Sequence, residues 1–262
     1  MSTRTSRPSI AELRAVGQPP SIFERNSGEH WAGRLYVRRM SPYLTRALLR
    51  TPVTPNGVTW LMIGAGLAAA AVLTLPGIWA TVGAVLLVQA QILFDCSDGE
   101  LARWLDRKSP VGVYLDRLGH YLTEAALPIA LGVRADGGWD SLGGYTTLGL
   151  LIAVLVLLVK AETVLVTVAR VEAGLPKAED TVAVAAPRGL LGRLRRFAGH
   201  LPFFRAFVAM EATFLALAAA VGDALTDSLD VTRGLVIALV PIAVVTLLGH
   251  LAAILASRRL RA

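Results

Sequence analysis

The stretch Asp95-Cys96-Ser97-Asp98-Gly99-Glu100-Leu101-Ala102-Arg103, an eight-residue gap, and then Gly112-Val113-Tyr114-Leu115-Asp116-Arg117-Leu118-Gly119-His120 is the most chemically loaded part of the 262-residue chain. Its aspartates and histidine recur at intervals of three and four, which return a side chain to one face of a helix. Asp95, Asp98 and Ala102 fall on one stripe, widened at Gly99 by the missing side chain. Gly112, Asp116 and His120 fall on a second. The turn Asp106-Arg107-Lys108-Ser109-Pro110 is short, so the two helices are antiparallel neighbours and their acidic stripes can face each other.

The surroundings of this segment are apolar. Hydrophobic residues make up 54% of the chain, charged residues only 17%, and the mean hydropathy is +0.57. A soluble domain carries about 25% charged residues. The composition therefore describes an all-α integral membrane protein divided into spans of about 20 apolar residues. Six such spans are expected, at 57–75, 78–104, 112–133, 144–170, 203–222 and 232–256, forming a transmembrane domain over residues 54–262. Before it, residues 1–20 read as a mobile tail rich in Ser, Arg and Pro. Residues 21–53 read as an amphipathic segment lying in the membrane interface, with Ile22, Phe23, Trp31, Leu35, Tyr36 and Tyr43 interleaved by arginines. A short helical hairpin packed on the bundle would give the same periodicity. The first 50 residues have no continuous apolar core, so no cleavable signal peptide is expected.

Charge distribution sets the topology. The net charge is +7, but the basic residues flank apolar spans and do not line one exposed face, which argues for membrane orientation and against a nucleic-acid partner. Nine arginines precede the first span; Arg107 and Lys108 separate the second and third. Lys177, Arg188, Arg193, Arg195 and Arg196 separate the fourth and fifth, and Arg258, Arg259 and Arg261 follow the sixth. The positive-inside rule then places both termini and the 95–120 segment on the cytoplasmic side of a multi-pass protein of the cell membrane. The single cysteine, Cys96, excludes an internal disulfide and a cysteine metal cluster. No internal repeat of the inverted-transporter kind is found.

Carboxylates clustered in a low-dielectric site repel one another unless cations neutralise them, and membrane-embedded charge is costly enough to imply a function. A hard, oxygen-preferring divalent cation, Mg²⁺ or Mn²⁺, suits them. Such cations complete their coordination with substrate phosphates, Gly and Ala let a nucleotide approach the backbone, and Arg103 can neutralise phosphate charge. The chemistry implied is phosphoryl transfer on a pyrophosphate substrate, driven by positioning and electrostatics.

The pattern Asp95-x-x-Asp98-Gly99-x-x-Ala102-Arg103, eight residues, Gly112, three residues, Asp116 resembles the signature of the CDP-alcohol phosphotransferase family. The resemblance extends over roughly residues 30 to 256. It implies a six-helix membrane enzyme, a homodimer, in which an alcohol or polyol-phosphate acceptor displaces CMP from a CDP-linked donor, such as CDP-diacylglycerol or a CDP-polyol, with membrane lipids as surroundings. Carried over, Asp95, Asp98 and Asp116 would be metal ligands, and Asp95, Asp98, Gly99, Ala102, Arg103 and Gly112 would bind the nucleotide. The chain departs at the last motif position, where His120 replaces the family's fourth aspartate. Two divalent cations against three carboxylates leave one surplus positive charge. Three readings of His120 stand open: a substituted general base, a metal ligand without base function, and loss of the usual activity. In the last case the protein would be a noncatalytic nucleotide- or lipid-binding, or transport, membrane protein. Glu124, one turn on, is a second candidate base, or else a residue closing interhelical contacts.

Lys160, Arg170 and Arg205, in the fourth and fifth spans, are candidate acceptor-binding residues; structural ion pairing and snorkelling are the alternative. His250 has no metal-ligand spacing and reads as structural. The Asp98-Gly99-Glu100 variant, Ser109 before Gly112, and Arg34, Arg38, Arg39 and Thr54-Pro55-Asn56 upstream resemble the inositol-phosphate-using branch of the family.

Overall fold

The computed structural model describes residues 8–20, 31–176, 203–257 and 260. Every regular element among them is helical, as membrane spans must be when each backbone polar group has to find its partner within its own segment. The α-helices are α1 (Ile10–Gly17), α2 (Arg38–Leu48), α3 (Pro55–Leu73), α4 (Ile78–Trp104), α5 (Pro110–Asp136), α6 (Gly144–Glu172), α7 (Ala209–Thr226) and α8 (Asp230–Ala256). Helices α3, α4, α6, α7 and α8 are long and apolar enough to cross a membrane. The protein is an integral membrane protein.

The third expected span, 112–133, corresponds to α5, which has the length at 27 residues. Asp116, Arg117, His120, Glu124 and Arg134 lower its hydropathy, and it is not among the five helices apolar enough to cross a membrane. Only 22% of the apolar window of α6 and 17% of that of α8 is buried, and Leu150, Val154, Leu248 and Leu255 point outward. In water such surface would drive association; against lipid tails it costs nothing.

Two boundaries differ from the sequence expectation. Residues 10–17, assigned to the tail on composition, form α1, because Ser9 and Glu12 make a reciprocal capping box at its start. The fifth span begins later than residue 203: Phe203–Phe207 is a 3₁₀ turn, and the extended backbone of Val208 separates it from α7. Residues 1–7 and 21–30, the basic residues Lys177, Arg188, Arg193, Arg195 and Arg196, and Arg258, Arg259 and Arg261 lie outside the described residues. Of the expected interfacial segment, Gly33–Val37 forms a π-turn leading into α2. Helix α2 buries Ser41, Pro42, Thr45 and Leu48, while its Met40 and Tyr43, and Leu35 of the π-turn, face outward.

The chain divides into two compact units. The first comprises residues 1–68 and 86–123. Its core holds Leu48, Val58 and Leu101, with Leu44, Val53, Phe94 and Leu105 packed around them. A Cβ on Gly119 would sit 2.2 Å from Met62 Cε, so the absence of a side chain there lets α5 lie against α3. Buried Gln91 on α4 donates to the Thr123 hydroxyl on α5 at 2.9 Å, which satisfies two polar groups that lipid could not.

The second unit comprises residues 69–85 and 124–262. Helices α5 and α6 approach at backbone distance: a Cβ on Gly149 would lie 2.4 Å from the Pro128 carbonyl oxygen. Two aspartates cap helices other than their own. Asp136 accepts from the backbone N–H of Gly143 (2.8 Å) and Thr146 (2.7 Å) and from the Thr146 hydroxyl (2.6 Å), at the start of α6. Buried Asp223 accepts from the N–H of Val231 (3.0 Å) and Thr232 (3.1 Å), at the start of α8. Both place negative charge on the positive end of a helix dipole.

Candidate metal centre

The site lies in the first unit, where α4 runs down into the turn at 105–109 and α5 returns. Ser109 caps α5, its hydroxyl accepting from the Gly112 N–H at 3.0 Å, and Pro110 opens the helix where no N–H is needed. Asp106 takes the left-handed conformation, at φ 53°, that makes the turn tight. The hairpin brings Asp95 of α4 opposite Asp116 and His120 of α5. The imidazole Nε2 lies 3.3 Å from Asp95 Oδ1 and 3.7 Å from Asp116 Oδ1.

These three residues form a group in which one ligand atom from each lies within 4.8 Å of the others. Two ligands on one octahedral cation at about 2.1 Å are roughly 3 Å apart when adjacent and roughly 4.2 Å apart when opposite. The two separations from His120 Nε2 fall in that range, and two carboxylates with one imidazole are a donor set that suits a divalent cation. The side chains remain 29% (Asp95), 43% (Asp116) and 38% (His120) exposed, so a solute can reach them.

Asp98 stands outside this group. Its Oδ2 accepts a 2.6 Å hydrogen bond from the Thr59 hydroxyl of α3, and Thr59 is itself buried. Asp98 therefore shares the stripe with Asp95 as spacing predicted, but part of its bonding capacity is directed to α3. The remaining motif positions are small where something lies across them. The two terminal nitrogens of Arg103 would be 3.0 and 3.1 Å from a Cβ on Gly99, so the guanidinium overlies that glycine. A Cβ on Gly112 would meet Asn56 Oδ1 at 3.1 Å. Ala102 is partly buried on the same face. Arg103 Nε donates to the Gly17 carbonyl at 2.6 Å.

Glu100, a non-signature position, is 1% exposed. Its carboxylate accepts from Gln18 Nε2 (2.8 Å), the Thr45 hydroxyl (2.7 Å) and the Ser41 hydroxyl, with Arg38 at 4.0 Å. Sequence reasoning missed this network. The only local signal was Ser41 and Thr45, one turn apart on the buried face of α2.

The candidate acceptor residues lie in the second unit, two of them with partners of their own. Lys160 Nζ is 2.8 Å from Glu124 Oε2, Arg170 Nε donates to the Pro176 carbonyl at 2.8 Å, and Arg205 is exposed in the 3₁₀ turn. Lys160 and Arg170 are ten residues apart, about 15 Å of helix rise. Glu124 and Lys160 also line a cavity of about 170 Å³ with Val156, Phe207, Ala243 and Thr246; Arg170 and Arg205 do not. His250 Nδ1 pairs with Glu162 Oε2 at 2.7 Å.

Fold and site together define a helical integral membrane protein with a carboxylate and imidazole cluster at a helical hairpin, suited to hold a divalent cation. The CDP-alcohol phosphatidyltransferase family model matches residues 52–188, from the start of α3 past the end of α6, and the chain belongs to that family. The family transfers phosphate-containing groups from a CDP-alcohol to an alcohol in lipid synthesis and depends on divalent metal. A comparison with curated proteins finds no match.

Proposed function

We propose that the protein transfers a substituted phosphate group from a CDP-linked donor to an alcohol acceptor with release of CMP, using Mg²⁺ or Mn²⁺ at the hairpin. The observation that carries the reading is the convergence of Asp95, Asp116 and His120 within a signature whose Arg103 guanidinium lies across Gly99. Asp95 and Asp116, with Asp98 as a further contributor, would hold the cation, which when bound neutralises phosphate charge. Arg103 supplies fixed positive charge to the pyrophosphate through its terminal nitrogens. The acceptor hydroxyl forms the new P–O bond as the bond to CMP breaks, and its proton passes to the His120 imidazole, which stands beside Asp95.

A ligand role for His120 has an observation of its own, since Nε2 is the atom that completes the three-donor group. The acceptor is proposed to be an alcohol or polyol phosphate, with inositol phosphate suggested by the motif variant, and Lys160, Arg170 and Arg205 as residues that would meet it. The positive-inside pattern supports cytoplasmic termini and a cytoplasmic site in the cell membrane, with α5 as a further span and α2 at the interface, and membership of the family suggests a homodimer. The noncatalytic reading rests on the same histidine.

The deciding experiment uses the purified full chain with a panel of CDP-linked donors and alcohols, with Mg²⁺, Mn²⁺ or EDTA. CMP release that requires acceptor and divalent cation is expected. No release with any pair would overturn the catalytic reading in favour of the noncatalytic one.

A further inference from the structure

The eight-residue helix α1 is shorter than any helix that is stable alone in water, yet it is capped at one end and bonded into the motif at the other. Leu13 anchors it, at 1% exposed. At its C-terminus Gly17 lies so close to α4 that an added Cβ would sit 3.2 Å from Glu100 Cγ and 3.3 Å from Glu100 Cβ. The Gly17 carbonyl takes the Nε–H of Arg103 at 2.6 Å. The next residue, Gln18, donates from Nε2 to the Arg38 carbonyl (2.7 Å) and to Glu100 Oε1 (2.8 Å), tying α1 to both α2 and α4.

Arg103 is thus fixed at two points: its planar head lies over Gly99, and its Nε is held by a backbone carbonyl from a segment 86 residues away in sequence. Guanidinium has five donors in a rigid fork, so fixing Nε sets the plane and the direction of the two terminal nitrogens. An arginine on an exposed helix end would otherwise sample many rotamers, and anion recognition would have to overcome that freedom.

We propose that the Gly17–Gln18 end of α1 is a positioning element of the nucleotide site: it sets the Arg103 guanidinium across Gly99 in the orientation that meets a nucleoside diphosphate. The proposal rests on the reading of Arg103 as a nucleotide-site residue. Gly17 and Gln18 act through Arg103 and touch no substrate themselves. Gly17→Ala forces α1 outward by a few tenths of an ångström and draws the carbonyl from Nε. Gln18→Ala removes both ties, and Gln18→Met removes the donors while keeping the bulk.

The test is CDP binding to the purified full chain with Mn²⁺, followed by titration calorimetry, with thermal unfolding measured on each variant. Gly17→Ala, Gln18→Ala and Gln18→Met are each expected to raise the CDP dissociation constant about fivefold. In an Arg103→Ala background the same changes are expected to move it less than twofold, because the group they orient is gone. A loss of equal size with and without Arg103 would show a general structural effect and overturn the proposal, as would unchanged affinity in the single variants. Failure of the unmodified chain to bind CDP would overturn the nucleotide-site reading and the proposal with it; CDP binding that ignores α1 overturns the proposal alone.

Discussion

Glu100→Ala is the substitution with the largest calculable consequence. The side chain is 1% exposed and receives hydrogen bonds from Gln18, Ser41 and Thr45, which belong to α2 and to the end of α1. Truncation leaves those donors facing a void with Arg38 nearby, and removing one member of a buried charged network costs about 3–5 kcal/mol. For a chain of this size 1 kcal/mol corresponds to about 2–4 °C in the unfolding midpoint, so a drop of roughly 10 °C is expected. Glu100→Gln keeps volume and one acceptor, and the Thr45 hydroxyl can reverse to accept from the new amide, so its cost is nearer to about 1 kcal/mol. Thermal unfolding in detergent, followed by tryptophan fluorescence, measures both. Hydrogen exchange over residues 10–18 should rise in Glu100→Ala before that of α6 or α8, because the lost bonds anchor α1. An alanine variant melting within about 2 °C of the unmodified chain would show that the network is not stabilising, and the reasoning would fail.

Three further outcomes are expected. His120→Ala should abolish CMP release whereas His120→Asp retains some; full activity in the alanine variant would refute a catalytic or ligand role. Gly149→Ala would place a Cβ 2.4 Å from the Pro128 carbonyl, a backbone atom that cannot rotate away, so α5 and α6 must separate and stability should fall by about 1–3 kcal/mol, read as a lower unfolding midpoint. Burial alone would raise the Asp136 carboxyl, but the Thr146 hydroxyl and the N–H groups of Thr146, Gly143 and Tyr145 outweigh it and hold the carboxyl below the ordinary range. A depressed folded-state value stabilises at pH above the unfolded value of about 3.9 and loses that contribution as pH falls through the folded value, so the melting difference between the unmodified chain and Asp136→Asn should shrink below pH about 4. A difference that grows on acidification would reverse the sign and refute the capping account.

Helical periodicity and hydropathy were enough to locate five membrane-length helices and to bring Asp95, Asp116 and His120 to one place, because those inferences need only local spacing and one short turn. What they could not show depends on distant chain. Glu100 meets partners 55, 59 and 82 residues away, and nothing in its own neighbourhood separates a buried network from a filler position in a motif. Asp98 shares a helical stripe with Asp95, yet Thr59 on another helix draws its carboxylate into a different bond. Helix α1 was illegible because its residues have tail composition and its length is below what propensity supports; the capping box was the one local signal. Lys160 read either as an acceptor ligand or as a structural ion-pair member, and the Glu124 carboxylate that meets it sits on α5.

His120 concentrates the remaining chemistry in one atom. Asp95 and Asp116 carry two negative charges between them, which one divalent cation balances, and a neutral imidazole adds a donor without adding charge. With Asp98 committed in part to Thr59, the surplus positive charge of a two-cation, three-carboxylate site does not arise for this tighter group. The nitrogen near both carboxylates is Nε2, and one nitrogen cannot bind a cation and accept a proton in the same step. Base and ligand roles are therefore exclusive at that atom, and loss of the imidazole separates them. A base is needed for turnover but not for binding, so His120→Ala would keep Mn²⁺-supported CDP affinity while losing CMP release. A ligand is needed for both, so affinity and turnover would fall together.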